Sequence, residues 1–257
     1  LTGFWHCVVG DGGNLVASGA RNDHYTIPNQ WVDWREASHG VRLKHWRAVG
    51  HGPNKFAIES MLDEVAHDQR TDPMALRRAL MVNAPRALAT LNKVAEIADW
   101  NAPLPNGRAK GVAFVAHGSL GSGVCEISVD RSTGVIKVHH FWIALDAGVV
   151  VQPDNVKAQM EGGIIMGMSS VLKEQITVVD GAVQQRNYND YQLLRMQEVP
   201  DSIATAIIPS AERPEGVGET ATPMVAGAIA NAFLRLTGKH LRHLPFTPER
   251  VLEVLNS

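Results

Sequence analysis

A glutamate between a glycine and a predicted helix start is the residue of this chain best placed for acid–base chemistry. It is Glu219, within the segment EGVGETATP that covers residues 215–223. Glycine permits turns that other residues cannot adopt and lets a ligand approach the backbone closely, while Thr222 and Pro223 suit the N-cap and first position of a helix. The segment therefore presents the Glu219 carboxylate to a ligand. From the local sequence alone, the favoured role is a carboxylate that complements the helix dipole, an effect of about 0.3–1 kcal/mol.

Two further polar side chains stand beside glycines. Arg47 enters the turn WRAVGHG, where its guanidinium is suited to bidentate contact with an oxyanion or a phosphate. A surface salt bridge is an equally open role for Arg47. Gln159 precedes Gly162 and Gly163, and its amide can face a polar cofactor or satisfy a neighbouring carbonyl.

The sequence offers no set of side chains typical of a metal site. Cys7 and Cys125 are the only cysteines, too few for the four thiolates of an ordinary iron–sulfur cluster or a Cys₄ zinc site. Among the 11 histidines, His139 and His140 are neighbours on a predicted strand and so point to opposite faces. His240 and His243 follow a predicted helix end, and no His-Glu-x-x-His motif is present. We therefore predict that no metal is held by protein ligands and that the histidines lie at the surface.

Composition narrows the class of partner. The formal net charge of −2, from 24 basic and 26 acidic residues, gives no general attraction to nucleic acid or to an anionic membrane. We therefore expect no nucleic-acid partner and a small-molecule substrate recognised at a defined site. The segment GSLGSG, residues 118–123, has glycines that expose N–H groups to a phosphate but lacks the lysine of a P-loop.

The first hundred residues predict short strands followed by helices. Turn-forming residues dominate the beginning, and Trp31-Val32-Asp33-Trp34 alternates as in a strand. Helical spacing of apolar residues then predicts three helices, at residues 56–67, 74–80 and 86–98. Pro103 and Pro105 follow, so we predict an N-terminal lobe over residues 1–100 and a linker over 101–110.

The remaining chain, residues 111–257, predicts a second lobe of mixed strands and helices. Strands are expected at residues 111–116, 123–129, 135–145, 173–179 and 202–208. Pro153 begins a helix with an apolar stripe, and a last helix follows Glu219 and ends at Thr237-Gly238. The expected fold class is α+β.

Four segments taken in order carry a family resemblance: residues 46–60, 150–170, 186–195 and 215–231. The most specific block is GVGE, residues 216–219, followed by PMVA, with LDAG and YNDYQLLR in support. Together they resemble the C-terminal cofactor-binding region of the molybdenum hydroxylases, the xanthine dehydrogenase and aldehyde oxidase family. The resemblance covers most of the chain from about Tyr25 onward. It implies mixed sheets with packed helices.

The turn WRAVGH departs from the FRGFGGPQ pattern of the xanthine dehydrogenase branch. It is similar to the isoquinoline 1-oxidoreductase beta subunit branch, an appearance that membrane-associated aldehyde dehydrogenases share. The phenylalanine that stacks on substrate in the other branch is missing, so its substrate contacts are not carried over. The family's GQG cofactor loop and GGGFG stretch are also missing. We expect them upstream of Leu1 in a longer subunit.

The resemblance implies a role for each candidate residue. Glu219 would be the base that takes a proton from a molybdenum-bound hydroxide as the hydroxide attacks an electron-poor carbon. The residues implied to bind the cofactor are Arg47, Gly50, Gln159, Gly162, Gly163 and Gly218. The implied cofactor is molybdopterin cytosine dinucleotide, whose pterin dithiolene holds the molybdenum, so no protein ligand to the metal is required.

The resemblance also implies partners. The enzyme would oxidise an N-heterocycle or an aldehyde with water as oxygen source and pass electrons to iron–sulfur clusters on a [2Fe-2S] small subunit. The upstream portion of the same large subunit is an expected partner, and a cytochrome subunit is a further candidate. The isoquinoline branch suggests a periplasmic location, with the cytoplasm as the alternative. Two other hypotheses stay open: a non-catalytic piece that binds no cofactor by itself, and a phosphate-binding enzyme that uses residues 118–123.

Overall fold

The main sheet of the computed structural model, which describes residues 1–41 and 43–257, has four strands in the order β3-β4-β5-β8. They are β3 (Arg108–His117), β4 (Ser119–Val129), β5 (Ile136–Asp146) and β8 (Ser202–Ile207). The first three form an antiparallel meander, and β8 runs parallel to β5. The predicted strands of this sheet are confirmed. The predicted division at residues 101–110 stays a prediction.

Apolar residues alternate between the two faces of this sheet. On β3, Ala113 and Val115 belong to one buried cluster, whereas Val112 and Phe114 belong to the other. The first face is covered by α5 (Met224–Thr237), and the second by α2 (Pro73–Leu80) and α3 (Pro85–Ile97). Helices therefore cover both faces, which confirms the α+β class.

Helix α5 lies unusually close to the sheet. A Cβ atom added to Gly111 of β3 would lie 2.2 Å from both the Ala228 carbonyl oxygen and the Ala232 nitrogen. Helix α1 (His51–Asp68) packs on another side of α5, with Gly227 against the Glu59 side chain. Because α5 is held on several sides, the loop that precedes it, which carries Glu219, has a fixed anchor.

Helix α4 (Pro153–Leu172) packs beside α5 and β8. Its predicted apolar stripe is confirmed, since five residues are buried: Val156, Met160, Ile164, Met168 and Val171.

The predicted strand over residues 173–179 is largely wrong: only Val178–Val179 (β6) pairs, with Ala182–Val183 (β7). These four residues are exposed, so no packing extends the pair. Helix α6 (Pro248–Asn256) was not expected, although Pro248 stands at its first turn.

The first strands form a small separate sheet, here called the β1–β2 ribbon. Strands β1 (Gly3–Gly10) and β2 (Asn29–Glu36) run parallel and pair only with each other in the described part of the chain. Trp5 and Trp31 are directly opposite in register, with 71% and 67% of their surfaces exposed. One face of the ribbon packs on the protein, where Val8 is buried and Phe4 is half-buried, whereas the face of Trp5 and Trp31 is exposed. Parallel sheets are ordinarily buried on both faces.

A buried ionic cluster joins α1 and α2 behind the sheet. The Arg77 guanidinium contacts the Glu59 carboxylate at 2.9 Å and the Asp63 carboxylate at 2.5 Å. The Glu59 carboxylate also accepts from the Tyr25 hydroxyl at 2.8 Å and from the Phe114 N–H at 3.0 Å. Burial alone would lower the pKa of Arg77, but the two carboxylates raise it above its ordinary value. We call these residues, Tyr25, Glu59, Asp63 and Arg77, the Glu59 cluster.

Candidate active site

Glu219 lies in the loop between β8 and α5, where two segments distant in sequence hold its carboxylate. Oε1 accepts the backbone N–H of Ala48 at 2.9 Å, and Oε2 lies 3.2 Å from Nε2 of His117. The next residue, Thr220, is fully buried and bonds through its hydroxyl to Ser119 Oγ at 2.7 Å and to the His117 carbonyl at 3.0 Å. The loop is thus fixed to the end of β3 while the Glu219 side chain stays 43% exposed.

The predicted cap of α5 is wrong. The helix begins at Met224, Pro223 occupies the N-cap position, and no side chain caps the helix. Thr222 instead donates from its hydroxyl to the Gly163 carbonyl at 3.2 Å. The neighbouring helix α4 therefore competes for the hydroxyl that local sequence assigns to the helix end.

Arg47 joins the Glu219 loop to α4. Its Nε donates to the Gly218 carbonyl at 2.6 Å, and its Nη2 donates to Gln159 Oε1 at 2.9 Å and to the Gln159 carbonyl at 3.3 Å. Four residues predicted to act together therefore meet: Arg47, Gln159, Gly218 and Glu219. We call these four, with Ala48 and His117, the Glu219 site.

The turn that follows Arg47 has a strained backbone. Ala48 and Val49 have φ values of 86° and 50°, a left-handed region that costs residues other than glycine about 1–3 kcal/mol each. Local hydrogen bonds hold the turn, since the Val49 N–H donates to the Trp46 carbonyl and the His51 N–H to the Ala48 carbonyl. The consequence is that the Ala48 N–H points at Glu219.

The predicted glycines fall into two groups. A Cβ atom on Gly50 would lie 2.3 Å from the Leu15 carbonyl oxygen, and one on Gly163 would lie 2.8 Å from Ala221 Cβ. Added Cβ atoms on Gly162 and Gly218 would meet nothing within 4 Å. Gly50 and Gly163 therefore allow close packing of the protein on itself, whereas Gly162 on α4 and Gly218 next to Glu219 face open space.

Two histidines at this place were missed by sequence reasoning. The imidazole rings of His117 and His51 stack with centroids 3.8 Å apart at 24°, and His51 Nδ1 lies 3.0 Å from Ser18 Oγ. The expectation of surface histidines is wrong for this pair, because both are partly buried, and it is also wrong for His139 of β5, which is buried. No spacing in the sequence relates His51 and His117, which only the contact of α1 with β3 brings together.

The local electrostatics favour an ionised Glu219. The Ala48 N–H lowers the pKa of the Glu219 carboxyl below its ordinary value, partial burial opposes this effect, and His117 adds to the lowering. Burial, followed by the charge that His117 can carry, lowers the pKa of His51 to about 4. At neutral pH the Glu219 carboxylate is therefore ionised and accepts the backbone N–H of Ala48, while the His51 imidazole stacked on His117 is neutral.

The other chemical alternatives find no support in the described residues. No three His, Cys, Asp or Glu side chains among residues 1–41 and 43–257 could hold a metal ion. His139 contacts Ser128 and His140 contacts Ser202, so they serve separate partners. Most of the proposed phosphate loop, residues 118–123, lies in β4, whose backbone groups pair with β3 and β5. The phosphate-loop prediction is wrong.

An apolar cavity of about 500 Å³ lies away from the Glu219 site. It is lined by Leu172, Leu194 and Phe246, with Pro248 at the start of α6. No residue of the Glu219 site lines this cavity.

The residues of the Glu219 site suit a polar, oxygen-rich cofactor. The Gln159 side chain is exposed and its amide carries N–H donors, while the Arg47 guanidinium that binds the Gln159 oxygen adds positive charge next to Gly218. A pterin with phosphate groups offers the acceptors that such donors require.

Comparison with known proteins gives the family. The family described as "Molybdopterin cofactor-binding domain" matches residues 42–200. The chain is 39% identical over 231 residues to isoquinoline 1-oxidoreductase subunit beta of Brevundimonas diminuta, covering 87% of this chain and 29% of that protein. It is 36% identical to a membrane-bound aldehyde dehydrogenase of Gluconacetobacter polyoxogenes, covering 82% of this chain and 30% of the relative. This chain belongs to the molybdenum hydroxylase family of molybdopterin-dependent oxidoreductases.

Solved structures agree on the fold. Quinoline 2-oxidoreductase from Pseudomonas putida 86 superposes with a TM-score of 0.83 over 94% of this chain and 57% of that chain, at 13% identity. The aldehyde oxidoreductase of Desulfovibrio gigas gives 0.81 over 98% of this chain and 47% of that chain, at 15% identity. The chain spans about three tenths of the length of the isoquinoline and aldehyde relatives named above.

Proposed function

We propose that this chain is part of the molybdenum-binding subunit of an enzyme that oxidises an N-heterocycle or an aldehyde, with Glu219 as the base. The observation that carries the proposal is the geometry of the Glu219 carboxylate, which is bound by Ala48 and His117 yet 43% exposed. A base must be ionised and within hydrogen-bond reach of the proton it removes. The names of the relatives, which act on isoquinoline, nicotinate and aldehydes, support this substrate class.

Each residue of the Glu219 site has a proposed task. Glu219 takes up the proton released when water supplies oxygen to the substrate. Arg47, Gln159 and Gly218 hold the cofactor at the open side of the site, where Gly162 leaves room for it. When bound, the molybdenum cofactor supplies the two-electron redox chemistry. Gly50 and Gly163 support the site by allowing its segments to pack closely.

The proposed cofactor is molybdopterin cytosine dinucleotide, and the proposed partners are the upstream portion of the large subunit, a [2Fe-2S] small subunit and a cytochrome subunit. The exposed tryptophans of the β1–β2 ribbon support coverage by more of the large subunit. Two cysteines, Cys7 and Cys125, are too few to bind an iron–sulfur cluster. The proposed location is the periplasm. No helix in the described residues is long and apolar enough to cross a membrane.

The decisive test replaces Glu219 in the intact, cofactor-loaded enzyme. We expect Glu219→Gln to lower kcat by about 10²–10⁴, the range for loss of a general base, with molybdenum content unchanged. Glu215→Gln, at an exposed glutamate of the same segment, is the matched control and should keep turnover. Wild-type turnover in Glu219→Gln would refute the assignment.

The competing hypothesis, a piece that binds no cofactor by itself, needs a different measurement. Molybdenum analysis of the purified chain distinguishes the two. Stoichiometric molybdenum would rule out the competing hypothesis, whereas a metal-free chain that regains molybdenum only with the upstream portion would support it.

A further inference from the structure

His117 occupies the centre of a chain of contacts that ends on Glu219. Its imidazole lies at the end of β3, with Nε2 3.2 Å from Glu219 Oε2 and the ring face against His51. We infer that His117 is a positioning residue that holds the Glu219 carboxylate in one orientation, with His51 and Ser18 as its support. The inference rests on the proposed role of Glu219 as the base.

The two carboxylate oxygens are held by different elements. The Ala48 N–H binds Oε1 from the strained turn, and His117 binds Oε2 from β3. A glutamate that is 43% exposed has several rotamers open to it, and contacts at both oxygens select one of them. Each oxygen keeps a further lone pair, because a carboxylate has about four acceptor positions. The carboxylate is thus fixed without being saturated.

The donor in the second contact must be a protonated Nε2. His117 can supply it as a neutral imidazole with its proton on Nε2, and then leaves the charge of Glu219 intact. The Glu219 loop and His117 are also joined by Thr220, which bonds to the His117 carbonyl. The backbone and side chain of His117 therefore set the position of the same loop.

His51 explains why the His117 ring has a single orientation. Its ring lies 3.8 Å away and nearly parallel, and Ser18 Oγ holds its Nδ1 at 3.0 Å. The charged groups near His51 are Lys55, His117 and Glu219. With its pKa lowered to about 4 by burial, His51 is neutral at neutral pH. It therefore supports His117 without competing for the carboxylate.

The test compares two replacements of His117 in the intact enzyme. His117→Gln keeps an N–H donor, whereas His117→Met fills similar space without one. We expect kcat to fall about 10–100-fold in His117→Met with KM within about threefold, because misplacement of a base by about 1 Å costs up to about 10² in rate. His117→Gln should recover most of that loss. Equal rates for the two variants, or wild-type kcat in His117→Met, would overturn the inference.

A structural measurement gives a readout that does not depend on turnover. Crystal structures of the intact enzyme should show one Glu219 rotamer in the wild type and in His117→Gln, and a displaced or multiple rotamer in His117→Met. A single unchanged rotamer in His117→Met would contradict the positioning role.

The support from His51 is tested by a second pair, which also serves if His117→Met does not fold. His51→Phe keeps an aromatic ring under His117, and His51→Ala removes it. We expect the loss of kcat in His51→Ala to exceed that in His51→Phe by about tenfold or more, and equal losses would count against the inference.

If Glu219→Gln is inactive and the His117 and His51 pairs show no difference, only the positioning role of His117 fails. If Glu219→Gln is active, the proposed function fails first.

Discussion

Glu59 and Glu219 both accept a backbone N–H, but the surroundings of the two carboxylates differ. Glu59 accepts three hydrogen bonds, from Tyr25, Arg77 and Phe114, and its side chain is 1% exposed. Glu219 accepts from Ala48 and His117 and is 43% exposed. A buried carboxylate with three donors, one of them an arginine, holds the fold together. A carboxylate that is held at two points and open elsewhere can accept a proton.

The largest effect should come from breaking the Glu59 cluster. Arg77→Met leaves two buried carboxylates without a counter-charge, a change that costs about 3–5 kcal/mol. We expect the Tm of the intact enzyme to fall by roughly 10 °C, at about 2–4 °C per kcal/mol for a domain of this size. Glu219→Gln is the matched comparison and should change Tm by less than a few degrees. Similar Tm losses in the two variants would remove the distinction between the clusters.

A smaller change in stability is expected when either of two adjacent glycines of α4 is replaced by alanine, and its sign should differ between them. Gly163→Ala places a Cβ 2.8 Å from that of Ala221, and such overpacking costs about 1–3 kcal/mol. Gly162→Ala meets open space and should raise helix stability by up to about 1 kcal/mol. Thermal unfolding measures both changes.

The molybdenum content of the same two variants gives a second comparison. If the cofactor lies against Gly162 as proposed, Gly162→Ala should lower molybdenum content while Tm stays the same or rises. Gly163→Ala should lower Tm first. Full molybdenum content in a stable Gly162→Ala enzyme would remove Gly162 from the proposed cofactor surface.

The smallest expected effect is on the pH dependence of Tm, and it comes from His51 beside the Glu219 site. Its pKa is lowered from the ordinary 6.5 to about 4, chiefly by burial. Between these values the unfolded chain binds more protons than the folded chain, so stability falls as pH falls from 6.5 toward 4. His51→Phe should make the decline of Tm over this range shallower. His45→Phe, at an exposed histidine, is the control; an equal change in both variants would contradict the prediction.

Regular periodicity made most of the fold predictable. The apolar stripe of α4 and the meander of β3 to β5 both follow from local spacing and turn chemistry. The predicted strand at 173–179 failed because local β-propensity had no neighbouring strand or core to complete it.

The Glu219 site was predictable only in part. Glu219 itself stood out because glycines and a helix start flank it, while Arg47 and Gln159 gained their roles from the family resemblance. Their mutual hydrogen bond confirms that they are neighbours, and their cofactor roles stay predictions. His117 and His51 escaped notice because tertiary packing alone joins them. The hydroxyl of Thr222 was misassigned for the same reason, since its acceptor lies on another helix.

The paired tryptophans of the β1–β2 ribbon give the molecule an optical reporter. Trp5 and Trp31 are highly exposed, whereas Trp100 is buried. Indole emission shifts to shorter wavelength when water is replaced by protein, so covering the ribbon should produce a blue shift from these two residues. Unpaired strand edges beside them also favour strand addition between molecules. Fluorescence can thus tell ordered assembly of the subunit from the start of aggregation, when it is read together with light scattering.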